Sequence, residues 1–375
     1  MCDKKGNMDM NENAMMDCIK AEPDVIKEIL DNREYYCGDF VKHFMTHPVK
    51  RVYLSGHGSP YNAGVVVGFM MEKLLKVEAA TSYPTLFMNH SGFNVNGMYG
   101  PEEMLVICPA QSGRTRGPVY VARKAREMGI PVICTTLLRD GVLARECDIV
   151  IEKRSGDEES FPETKGHVAS MAILMLCVVE AAYALGRIVK SEYDGYLEAF
   201  AALPQSVALA AERTLSWYEA HKQVLLEADS FTFLGYGANY ATAVEGGLKL
   251  LETTLKPCMS YECEEFMHGQ NQPVKEGTVL FFLCPREPER NRMDELVLWC
   301  RRHTRNCFMV ASPDDPVTDG HSIVSDFVEC EFLTAIEYLI PFQVLSHVAA
   351  RDMGLSSVVA NHDDAGKELN VRFES

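Results

Sequence analysis

The chain has 375 residues, enough for one large or two medium domains with substantial cores. A formal net charge of −17 argues against electrostatic binding to nucleic acid or an anionic membrane, yet a locally positive pocket can still take a small phosphorylated molecule. The 13 cysteines are scattered through apolar segments without ligand spacing, which reads as reduced core thiols rather than a metal centre or a disulfide framework.

The start is polar and methionine-rich and lacks the order of a secretion signal, so a cytoplasmic protein is expected. Pro23 and Asp24 suit the first turn of a helix whose apolar stripe is Val25, Ile26, Ile29 and Leu30. From there the first half alternates. Residues 52–54 predict a strand, 63–75 a helix, 105–108 a strand, 118–128 a helix, and 132–135 and 149–151 further strands. The apolar run 171–185 is too short to cross a bilayer and carries Glu180. Residues 187–230 predict a helical stretch broken near Pro204.

The second half repeats the alternation through 231–234, 241–251, 279–284, 295–303 and 307–310. This order predicts an α/β protein with two mostly parallel sheets flanked by helices. The expected boundaries are an N-terminal helical extension at 1–49, a first domain at 50–187, a linker at 188–229, a second domain at 230–350 and a tail at 351–375.

Two strand-to-helix turns carry the same grammar, Gly56-His57-Gly58-Ser59-Pro60-Tyr61 and Gly235-Tyr236-Gly237-Ala238-Asn239-Tyr240. Glycines allow close backbone approach, and the helix start that follows offers unpaired amides to an anion. A further polar turn, Gln111-Ser112-Gly113-Arg114-Thr115, follows the predicted strand ending near Cys108 and supplies two hydroxyls and an amide. Read alone, either first-half turn is more simply a capped turn. Together, at the ends of adjacent predicted strands, Ser59, Gln111, Ser112 and Thr115 point to one phosphate. Neither turn matches a dinucleotide or nucleoside-triphosphate fingerprint. Thr164 and, more weakly, Lys165 are further candidates, although a capped helix start explains them as well.

Glu245, Lys249 and Glu252 share one helical face, which is either a solvated ion-pair ladder or proton-transfer machinery. The dense polar stretch around His268 favours the second reading, since a carboxylate moves protons on carbon and an imidazole on oxygen. His57 is plausible near the first turn, or serves only the loop.

As an ordered set these motifs resemble the two-domain sugar isomerase (SIS) family over residues 50–350, especially the isomerase part of glucosamine-6-phosphate synthase and the fructosamine-6-phosphate deglycases. The resemblance rests on Gly56 to Ala63, Gln111 to Thr115, Glu163 to Lys165, Leu234 to Glu252 and Glu264 to Gly269. It implies two SIS-type domains, a sugar phosphate held by Ser59, Gln111, Ser112 and Thr115, and Ala110 where the synthase has another serine. It also implies Glu252 as the base and His268 as the ring-opening group, supplied by the neighbouring subunit of a homodimer or higher homo-oligomer. The synthase's Schiff-base lysine has a candidate counterpart in Lys367, in a tail that departs from the synthase pattern. With no glutamine-hydrolysing segment ahead of these motifs, full synthase activity is not expected. The expected activity is hydrolysis of a 6-phosphorylated fructosamine, such as fructoselysine 6-phosphate, with no cofactor and no metal. The alternatives are a sugar-phosphate isomerase, a glucosamine-6-phosphate deaminase or a noncatalytic sugar-phosphate sensor.

Overall fold

The computed structural model describes residues 11–315 and 317–374. The first ten residues of the methionine-rich start therefore lie outside the described residues. Ten strands form two five-stranded parallel sheets with matching connectivity. The first sheet contains β1 (Arg51–Ser55), β2 (Glu78–Ser82), β3 (Met104–Pro109), β4 (Val132–Thr136) and β5 (Ile149–Glu152), in the order β2-β1-β3-β4-β5. The second contains β6 (Phe231–Gly235), β7 (Cys258–Glu262), β8 (Val279–Leu283), β9 (Cys307–Ala311) and β10 (Ile323–Val324), in the order β7-β6-β8-β9-β10.

Both faces of the central strands are buried, which explains why they read as apolar runs rather than as alternating segments. Val52, Leu54, Leu105, Ile107 and Ile133 face one core, whereas Tyr53, Val106, Cys108, Val132 and Cys134 face another. The first of these cores is shared, because it also takes Phe231, Phe233, Phe281 and Phe308 from the second sheet. Helices Ser59–Met70, Lys165–Ala184, Lys190–Glu227, Gly237–Thr254 and Ile340–Asp352 contribute to that common layer. The two halves therefore bury one continuous apolar volume.

Three expectations about helices need correction. The first described helix runs Ala14–Asp31 with Pro23 in its interior rather than in its first turn. Met15, Met16 and Ile19 before the proline, and Ile26 and Ile29 after it, are all buried. At roughly 1.5–3 kcal/mol for each such side chain, their burial outweighs a proline penalty of about 3 kcal/mol. Pro204 likewise lies inside a single helix, Lys190–Glu227, and does not break it. Leu203, Val207 and Ala210 are buried there, and Ser206 hydrogen-bonds Glu337 from a later helix. The apolar run 171–185, expected to be too short to cross a bilayer, belongs to a longer helix, Lys165–Ala184, which spans 20 residues with a mean hydropathy of 1.7 over its most apolar window. By length and composition it could cross a membrane, yet 83% of that window is buried inside the fold, so it is a core helix.

Candidate functional site

In the first sheet, the chain leaves β1 and β3 toward opposite sides, and the crevice beyond their carboxyl ends is where ligands bind in such sheets. Beyond β1, Gly58 adopts a positive φ of 60° and immediately precedes helix Ser59–Met70. After β3, Gly113 has φ 65°, and a Cβ there would stand 3.0 Å from Thr136 Oγ1. Both turns therefore need glycine where they bend. A cavity of about 520 Å³ opens between them and reaches the second half's helix Gly237–Thr254 through Leu248, Lys249 and Glu252.

Ser112 and Thr115 line this cavity. Thr115 precedes helix Arg116–Glu127 without capping it through its side chain, so its hydroxyl is available to a ligand. Gln111 also lines the cavity, but its amide is already engaged. Its Nε2 donates to Glu158 at 3.0 Å, and its Oε1 accepts from Lys153 Nζ. Glu158 in turn accepts from Thr164 N and Thr164 Oγ1, both at 2.7 Å, from Lys165 N at 3.0 Å and from Gly166 N at 2.9 Å. A protein carboxylate thus fills the anion site at the start of helix Lys165–Ala184. Thr164 is committed to it, and Lys165 Nζ donates to the Asp157 carbonyl at 3.1 Å. Lys153 is buried, and burial lowers its pKa. It is retained by hydrogen bonds to the Gly166 carbonyl at 3.1 Å and Ser170 Oγ at 3.0 Å.

The helical spacing of Glu245, Lys249 and Glu252 produces a buried chain of charges. Lys249 Nζ lies 3.2 Å from Glu245 and 2.9 Å from Glu252, and Lys249 and Glu245 are each 1% exposed. Glu245 then crosses to the first half, accepting from Ser59 Oγ and Asn62 Nδ2, both at 2.7 Å. Burial alone would raise its pKa, but Lys249, His167 and these two donors hold it at about 2. Burial opposes the charge on Lys249 as well, and the two carboxylates more than compensate, so its pKa is raised. The solvated-ladder reading therefore fails for this triplet. Glu252 is the exposed end of the chain, with 21% of its side chain accessible from the cavity. Burial raises its pKa above the ordinary carboxylate value, an effect moderated by Lys249.

The cavity brings together His57, Ser59, Gln111, Ser112, Thr115, Lys249 and Glu252, with Glu245 behind them. His57 is exposed near the Tyr83 ring, and the partial desolvation of its imidazole lowers its pKa, which favours the neutral form. His268 does not join them within the chain. It is exposed in a short turn, Phe266–Gln270, where Gly269 takes φ 131°. Lys367 is also exposed, on helix Ala365–Glu368, and does not line the cavity. What reaches the cavity from the tail is Arg372. Asn62 and Glu158 were likewise missed as site residues, although Asn62 stood inside the first motif.

The profile of the SIS domain matches residues 46–180 and 224–326. The chain belongs to the SIS domain family. The two SIS matches cover the two parallel sheets. Among curated relatives, the glutamine–fructose-6-phosphate aminotransferase of Clostridium tetani is 26% identical over 294 residues, which is 76% of this chain and 46% of that protein. The chain spans about half the length of the curated relatives it matches. Among solved structures, a proposed phosphosugar isomerase from Clostridium difficile has a TM-score of 0.84 at 20% identity, covering 96% of this chain and 99% of that one. The C-terminal domain of glucosamine-fructose-6-phosphate aminotransferase from Francisella tularensis has a TM-score of 0.82 at 19% identity, covering 92% and 98%. These likenesses establish the two-domain SIS fold.

Proposed function

We propose that this SIS protein is a deglycase that hydrolyses a 6-phosphorylated fructosamine to glucose 6-phosphate and a free amine. One observation carries the choice among sugar-phosphate reactions: among the described residues, Lys249 is the only lysine lining the cavity, and it is clamped between Glu245 and Glu252. A raised pKa keeps it an ammonium, so it is a poor nucleophile toward a carbonyl. Chemistry that needs an imine then depends on the substrate bringing its own amine, as a fructosamine does. Lys367, the candidate counterpart of the synthase's Schiff-base lysine, does not line the cavity, whereas Arg372 of the same tail does.

In this reading Ser112 and Thr115 hold the phosphate, with Ser59 and Gln111 shaping the same end. The opened 1-amino-ketose then presents its first carbon to Glu252. Glu252 takes a proton from carbon 1 while an acid protonates the oxygen of carbon 2. The resulting enaminol is reprotonated at carbon 2 to give the carbon 1 imine. Water adds to that imine, and the carbon–nitrogen bond breaks to release glucose 6-phosphate and the amine. The raised pKa of Glu252 suits a base that must return its proton. His268 is the proposed acid and ring-opening group, supplied by a second subunit of a homo-oligomer.

Incubation with a panel of phosphorylated fructosamines, with detection of free amine and glucose 6-phosphate, tests the proposal. Both products are expected in equal amounts. Ammonia from glucosamine 6-phosphate alone would instead assign a deaminase, and binding without product would assign a sensor.

A further inference from the structure

Among the described residues, the cavity is lined by four carboxylates, Asp157, Glu158, Glu163 and Glu252, and by two permanent cations, Lys249 and Arg372. Lys249 is neutralised on both sides by Glu245 and Glu252. Arg372 forms no ion pair or side-chain hydrogen bond among the described residues. A dianionic phosphate entering such an acidic cavity therefore meets one uncommitted positive charge.

The tail fixes where that charge sits. Arg116 N donates to the Val371 carbonyl at 3.1 Å, and Phe373 N donates to the Arg114 carbonyl at 2.8 Å. These two bonds flank an antiparallel bridge in which Arg372 stands opposite Thr115. Residues paired in this way have closely spaced Cα atoms and side chains on the same face. Phe373, on the alternate face, lies beneath Arg116 at 4.7 Å and Arg123 at 5.4 Å, with the edge of Tyr120 against its ring at 5.8 Å. Phe373 thus anchors the tail, and Arg372 is left beside the Thr115 hydroxyl, facing the cavity.

We propose that Arg372 is a substrate-binding residue that pairs with the phosphate held at the Ser112–Thr115 turn, so that the C-terminal tail completes the phosphate site. A guanidinium offers two parallel donors to phosphate oxygens, which hydroxyls and neutral amides cannot match in charge. The inference rests on the sugar-phosphate reading of the same cavity.

The test is calorimetric binding of glucose 6-phosphate and of inorganic phosphate to the full chain, alongside KM and kcat for the phosphorylated fructosamine that is turned over. Losing one charge-assisted contact should weaken glucose 6-phosphate binding and raise KM by about 10- to 100-fold in Arg372→Ala, with kcat changed less than about threefold. Arg372→Lys should fall between, since it keeps the charge and loses the fork. Phe373→Ala, which frees the tail without removing the charge, should weaken phosphate binding as well. Arg372 is exposed, so the fold should survive each change at that position. If the unaltered protein binds glucose 6-phosphate and Arg372→Ala binds it equally well, the tail's role is refuted while the sugar-phosphate reading stands. If the unaltered protein binds no sugar phosphate, both fall.

Discussion

Glu252 is the residue on which proposed turnover depends, because it is the carboxylate of the buried chain that reaches the cavity surface. Glu252→Gln preserves size and hydrogen-bonding capacity but removes the base. It should keep the fold and glucose 6-phosphate binding while lowering kcat by roughly 10²- to 10⁴-fold. Near-normal turnover in that variant would dismiss Glu252 as the base. The same residue sets the acid limb of the pH profile. A base must be ionised to act, and burial raises the Glu252 pKa above the ordinary 4.5. Activity should therefore fall, as the solution is acidified, through a pKa higher than that of a free carboxylate. An acid limb centred at or below 4.5 would contradict this environment.

The helix that presents Glu252 is placed by a close approach at Gly246. A Cβ there would fall 2.6 Å from the ring of Phe342, which is fully buried in helix Ile340–Asp352. Gly246→Ala removes a helix-weakening glycine but forces the two helices apart, and overpacking costs about 1–3 kcal/mol. We expect a lower midpoint in urea denaturation; an unchanged or higher midpoint would show that the interface yields freely. Contacts of this kind explain what could be read from sequence. Residues 52–54 and 231–234 were legible as strands because burial on both faces makes them continuously apolar. The turn that brings Ser112 and Thr115 to the cavity was legible because it is local and its glycine adopts the positive φ that the bend needs. The interior positions of Pro23 and Pro204 were not legible, since apolar burial against distant helices overrides the local signal. Arg372 and Glu158 were missed for a related reason. One is placed by backbone bonds to Arg114 and Arg116, more than two hundred residues earlier, and the other by the amides of a helix start that gives no sign of which carboxylate will fill it.

At the scale of the whole molecule, Glu245 joins the two halves, because it belongs to the second and accepts from Ser59 and Asn62 of the first. Its carboxyl is held at about 2 in the folded protein against an ordinary value of 4.5. The unfolded chain therefore binds the proton first as pH falls. Stability from this group is complete above about 4.5 and is lost as pH drops through about 2, and the shift corresponds to about 3 kcal/mol. Glu245→Gln should remove that dependence. At neutral pH the variant should be less stable by roughly 3–5 kcal/mol, since Lys249 loses a buried partner. The deficit should stay constant from pH 7 down to about 4.5 and narrow below that, because only the unaltered protein still has this stabilisation to lose. Urea denaturation of both proteins between pH 7 and pH 3 would measure the gap. Curves that stay parallel across that range would mean that the charge of Glu245 does not hold the two halves together, and that the contact with Ser59 and Asn62 acts through shape and neutral hydrogen bonds alone.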